Sequence, residues 1–65
     1  MKFSSAPIFS ATVPGPWGVD SLGRYWYVVH STTLVARRIG VVGAKRKNYF
    51  DEAVAEADRR NRKEN

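Results

Sequence analysis

The chain has 65 residues, no cysteine, and eleven Lys and Arg against six Asp and Glu, giving a net charge of +5. Disulfides are excluded, and His30, the single His or Cys in the sequence, cannot supply the roughly four ligands of a zinc site. No apolar run approaches the ~18 residues of a membrane span, and the first sixteen residues, "MKFSSAPIFSATVPGP", lack the ~7–15-residue apolar run of a secretory signal. The expectation is a single small cytoplasmic domain with no membrane contact and no cofactor.

A core of this size supplies only about 3–5 kcal/mol, so self-association as a homodimer or a macromolecular partner is the expected extra support. The positive balance favours an acidic partner, nucleic acid among them.

Residues 1–13 form an apolar arm in which Phe3, Ile8, Phe9 and Val13 punctuate Ser, Ala and Thr. Pro7 argues against a helix interior, and an extended or edge strand is expected over residues 8–12. Pro14, Gly15 and Pro16 then make a shaped bend that delivers Trp17 to one place. Residues 14–65 are read as one small α+β domain. A short strand over 17–20 turns through Gly23 into a long strand over 24–31, marked by the aromatic and β-branched run Tyr25, Trp26, Tyr27, Val28 and Val29. A third strand is expected over 33–41. The basic loop "GAKRKN" follows, with room for a short fourth strand leading into Tyr49 and Phe50.

The C-terminal segment "YFDEAVAEADRRNRKEN" predicts a helix over 51–63, with Phe50, Ala53, Val54 and Ala57 forming a narrow apolar stripe. Asp51 is the expected N-cap, with Glu52 in the first turn and Arg59, Arg60, Arg62 and Lys63 at the other end. Glu56 with Arg60 and Asp58 with Arg62 are spaced as i,i+4 ion pairs. The fold class is therefore α+β, an antiparallel sheet of three or four strands packed by one C-terminal helix.

Alternation along the central strand sends Tyr25, Tyr27 and Val29 to one face and Trp26 and Val28 to the other. Both faces are apolar, and one helix covers only one of them. The second must meet the arm, another subunit or a partner. The candidate binding residues are Tyr25, Trp26 and Tyr27 together with the cations Arg37, Arg38, Lys45, Arg46 and Lys47, which can contact phosphates while the rings stack on bases. Of the two tryptophans, Trp17 reads as an anchor of the fold and Trp26 as the binding one.

Sequence chemistry beyond binding is thin. "GVVGAKRK" lacks the GxxxxGK[ST] pattern of a phosphate loop, and its GxxG resembles the nucleic-acid loop of KH domains only in spacing, the glycines reading as turn formers. Nothing places a nucleophile beside His30, and Asp51, Glu52, Glu56 and Asp58 are accounted for by capping and ion pairs. The chain reads as non-enzymatic.

"TVPGPW", the strand-rich middle and "DEAVAEADRRN" together resemble a group of short bacteriophage proteins that open with a T-P-G-P-W element and close with an Ala- and Glu-rich helix. Val13 separates Thr12 from Pro14, a departure from that pattern. More distantly, a sheet followed by this helix is similar to the three-stranded arm-binding domains of phage integrases, in which Tyr25, Tyr27, Arg37 and Arg38 would face the DNA groove. These resemblances imply a phage accessory protein acting in the host cytoplasm. The expected function is non-catalytic binding of a host protein or nucleoprotein complex, as an anti-CRISPR-like inhibitor of a defence system does. The alternative is a small DNA-binding module that uses its sheet and the loop of Lys45, Arg46 and Lys47.

Overall fold

A computed structural model describes residues 2–43 and 48–64. Four strands precede one helix: β1 (Phe9–Ser10), β2 (Trp17–Leu22), β3 (Tyr25–His30), β4 (Ala36–Val41) and α1 (Tyr49–Glu64). The strands form one antiparallel sheet in the order β1-β2-β3-β4, so the fold is α+β, a four-stranded sheet packed by the C-terminal helix. The fourth strand comes from the arm and pairs Phe9 with Val19.

The β2–β3 hairpin closes through Gly23 and Arg24, with Leu22 opposite Tyr25. Gly23 takes φ 61°, the left-handed conformation that a two-residue hairpin turn requires at its first position. β4 begins later than its β-rich sequence suggests, because Leu34 sits at φ 60°. A left-handed leucine cannot continue a strand, and its N–H instead closes a turn onto the His30 carbonyl at 2.8 Å.

α1 also begins earlier than expected, and its cap is Asn48 rather than Asp51. The Asn48 Oδ1 accepts the Phe50 N–H at 3.1 Å, while its Nδ2 donates to Asp51 at 3.1 Å. The side chain that reaches a first-turn N–H defines the start, which draws Tyr49 and Phe50 into the helix. Midway along α1, Glu56 takes Arg60 at 2.7 Å and also Arg59. Partial burial pushes the Glu56 carboxyl up, but these two guanidinium groups outweigh it and hold the carboxyl below its ordinary range.

The helix lies on the face that carries Val19 and Val28. Ala53 and Ala57 touch these fully buried valines, and Trp17, Trp26, Ile39, Phe50 and Val54 ring them. Small alanines permit this close approach, and the surrounding aromatics fill the space left over. Phe9, Trp26 and Phe50 make a three-ring cluster with centroids 5.1 to 6.0 Å apart. Tyr49 lies so close over Gly40 that an added Cβ would sit 2.0 Å from its ring. Gly40→Ala is therefore expected to displace the ring and cost about 1–3 kcal/mol; urea unfolding measures it, and an unchanged midpoint would contradict the packing described.

The helix holds the bend through two buried polar residues. Asn61 is fully buried and sits inside the Pro14-Gly15-Pro16 turn: its Oδ1 accepts the Trp17 N–H at 2.8 Å, and its Nδ2 donates to the Val13 and Trp17 carbonyls at 2.8 and 3.0 Å. A Cβ on Gly15 would lie 2.5 Å from the Asn61 amide, so only glycine lets the turn close around it. One turn earlier, Asp58 accepts the Thr12 hydroxyl and, at 2.8 Å, the Val13 N–H. The expected Asp58–Arg62 pair is thus subordinate to a bond with the arm.

Those bonds hold the Asp58 carboxyl below its ordinary value of 3.8, the Thr12 hydroxyl contributing most. A carboxyl with a lowered folded pKa adds stability that is complete above the unfolded value and is lost as the pH falls through the folded value. Thermal melts from neutral pH downward should show wild type losing stability below about pH 4. Asp58→Asn should start less stable and converge on wild type there; parallel curves would contradict the assignment.

Trp17 is half-buried at the end of this clamp. Its indole Nε1 donates to Glu64 at 3.2 Å, Arg60 lies 4.7 Å over its ring, and His30 meets it edge-on at 5.1 Å. His30 itself is structural: its Nδ1 accepts the Thr32 and Thr33 N–H groups, each at 3.2 Å.

Candidate binding site

The face of the sheet turned away from α1 is built by β2, β3 and β4, and register sets its rows. Leu22, Tyr25 and Val41 form one row, and Asp20, Tyr27 and Arg38 the next. Gly18, Val29 and Ala36 form the third. A bulge opposite Trp26 and Tyr27 adds Ile39 to β4. Ile39 packs on the helix side, and the extra residue brings Val41 onto this face beside Ala36 and Arg38.

The arm covers part of the face. It starts beside β4, where Lys2 bridges Val35 and the Phe3 N–H donates to the Leu34 carbonyl at 2.8 Å. Phe3 then meets Tyr27 edge-on at 5.2 Å, and Pro7 crosses Gly18 closely enough that a Cβ there would lie 2.8 Å from its ring. Beneath the arm, Val29, Ala36 and Tyr27 are buried. The Leu22 row is left open: Leu22 is 51 % and Val41 44 % exposed, with Tyr25 half-buried between them. The Arg38 guanidinium lies 4.6 Å over the Tyr25 ring, a cation–π contact that holds the charge beside the apolar row.

The structure therefore divides the residues expected to bind. Tyr25, Tyr27 and Arg38 share this face, although Tyr27 is only 7 % exposed beneath Phe3. Trp26 lies on the opposite face, inside the cluster with Phe9 and Phe50. Arg37 is exposed but pairs with Val28, in the helix-side register. Lys45, Arg46 and Lys47 lie outside the described residues. Leu22 and Val41 join the site although neither stood out in the sequence; only strand register places them beside Tyr25.

Charge is unevenly distributed around this patch. Residues 21–50 contain no Asp or Glu, and five of the six carboxylates lie on α1. The sixth, Asp20, is 8 % exposed and accepts the N–H of its neighbour Ser21 at 2.7 Å. Exposed Arg24 and Arg38 thus flank the patch with no carboxylate in β3, β4 or their connection. A hollow of about 260 Å³ lies elsewhere, between the arm and the bend, and no titratable side chain lines it. No group of His, Asp and Glu among the described residues is arranged to hold a metal ion. Comparison with protein-family models, with curated proteins and with solved structures gave no match, and the functional reading rests on the residues themselves.

Proposed function

We propose that the chain is a non-catalytic accessory protein that docks on an acidic protein surface of a larger host complex, using the open end of its helix-free face. The observation that carries this reading is the row Leu22, Tyr25 and Val41, exposed beside Arg38 in a carboxylate-free part of the chain. The apolar row supplies the desolvated centre of the contact, and the arginines supply rim contacts and steering. The phage setting follows from the resemblance of "TVPGPW" and "DEAVAEADRRN". In the fold these two segments meet, Thr12, Gly15 and Trp17 contacting Asp58 and Asn61 in one clamp, but the phage setting itself rests on the resemblance alone. Inhibition of a defence complex is the form of docking proposed.

Capture from infected-cell extract tests the reading. Arg38→Glu reverses the rim charge at an exposed position and is expected to reduce capture of the partner at least about tenfold, because it sets a like charge against an acidic surface, with nuclease treatment leaving wild-type capture unchanged. Nuclease-sensitive capture, or retardation of duplex DNA at physiological salt that weakens steeply as salt rises, would replace this reading with direct DNA binding. A chain that runs at twice its mass in light scattering, with the dimer lost in Arg38→Glu, would make the face a self-contact instead.

A further inference from the structure

We propose that residues 2–7 are a displaceable strap, and that the full docking face for the acidic partner includes the surface beneath it. The proposal rests on the docking face put forward above and extends it from the Leu22 row across Tyr27, Val29 and Ala36.

Two parts of the same arm are held very differently. Residues 12–17 are fixed to α1 by the Thr12, Val13 and Trp17 bonds to Asp58 and Asn61. Residues 2–7 are held by the Phe3 N–H bond to Leu34, the single Lys2–Val35 bridge, the Phe3–Tyr27 ring pair and the Pro7 contact with Gly18. Between those points run Ser4, Ser5 and Ala6, small and exposed. Segments with few buried contacts open at lower free energy than the whole domain, and the clamp at residues 12–17 keeps the arm tethered when its tip leaves.

What the strap hides is continuous with what is open. Tyr27 lies between Tyr25 and Val29 on one side of β3, so lifting Phe3 joins the two regions into one apolar face. The occupant that suits it is an acidic protein surface with an apolar centre. Arg38 lies over Tyr25 on this face, and Arg24 is exposed in the adjoining turn. Residues 21–50 carry no carboxylate, and the one carboxylate in this register, Asp20, is 8 % exposed and occupied by the Ser21 N–H. A second copy of this chain, with its own +5 charge, is the poorer match.

The chain contains no cysteine, so Lys2→Cys with Val35→Cys installs a unique lock. Antiparallel partners stand about 4.5–5.5 Å apart at Cα, within the range a disulfide spans. The reduced double variant is its own folding control. The probe is the anionic apolar dye anilinonaphthalene sulfonate, whose chemistry matches the proposed occupant. Oxidation is expected to lower dye fluorescence about threefold or more and dithiothreitol to restore it, while Phe3→Ala raises it, as expected for locally opening surface. Hydrogen exchange of wild type should show the Phe3 amide exchanging about tenfold or more faster than the His30 amide, which donates to Val35 where β3 ends and β4 is about to begin.

Equal exchange at the two amides, or dye binding and partner capture unchanged by oxidation, overturns the strap. If the lock has no effect while Arg38→Glu still abolishes capture, the strap fails and the docking reading stands. If Arg38→Glu changes neither dye binding nor capture, the docking reading itself fails.

Discussion

Asn61→Ala is expected to lower the thermal midpoint by about 15 °C, since losing a buried hydrogen-bonded side chain costs roughly 1–3 kcal/mol per stranded group and each kcal/mol moves a domain of this size by about 4–8 °C. The stranded groups are the Trp17 N–H and the Val13 and Trp17 carbonyls, all of which meet the one amide. Asn61→Asp sharpens the test, because the isosteric carboxylate keeps an acceptor for Trp17 N–H but turns an acceptor toward two carbonyls. It should be at least as damaging as alanine. A variant pair in which aspartate is harmless would show that the amide orientation described is reversed or irrelevant. Calorimetry on both proteins decides it.

Trp26→Ala is expected to destabilise the fold by about 2–4 kcal/mol, a large-to-small change in packed aromatic surroundings, while leaving partner binding intact in the folded fraction. The reason is its address: Trp26 packs against Phe9 and Phe50 on the helix side, tying the arm, the sheet and the helix together. Tyr25→Ala should behave in the opposite way, with a small stability cost and a large loss of binding. Urea unfolding and affinity measured on the same samples separate the two effects. Lost affinity in stably folded Trp26→Ala would place the contact on the wrong face.

Much of the fold is legible because hydrophobic period speaks directly. Alternation through Tyr25, Trp26, Tyr27 and Val28 marks β3, and Phe50, Ala53, Val54 and Ala57 mark α1. The same alternation implies that a second apolar face needs a cover, and the arm supplies it in part through Phe3 and Pro7. The clamp is not legible in that way. Asp58 and Asn61 look like members of a solvated, charged helix end, because their partners include backbone groups 44 to 48 residues away, and backbone groups have no sequence signature. The start of α1 is a similar case: Phe50 falls on the helix stripe by its spacing, yet Asp51 reads as the cap, and only the Asn48 side-chain bond moves the start back.

The candidate site is half legible for a related reason. Ring and cation content singles out Tyr25, Tyr27 and Arg38, but the side each occupies depends on register, and a one-residue change in pairing exchanges the faces. The bulge at Trp26 and Tyr27 makes such a change within β4 after Arg38, bringing Val41 to the face of Arg38, while ordinary alternation sends Arg37 to the other side. Leu22 and Val41 are ordinary aliphatic residues until that register brings them to either side of Tyr25.

The central claim is that the helix-free face meets an acidic protein, and site-specific photocrosslinking tests it most directly. A benzophenone amino acid placed at Tyr25 reports on that face, and one at Ala55, exposed on the outer side of α1, serves as the control. Irradiation of infected cells is predicted to give a nuclease-resistant protein adduct from position 25 and none from position 55. An adduct from position 55 alone, or one from position 25 that nuclease removes, would contradict the account.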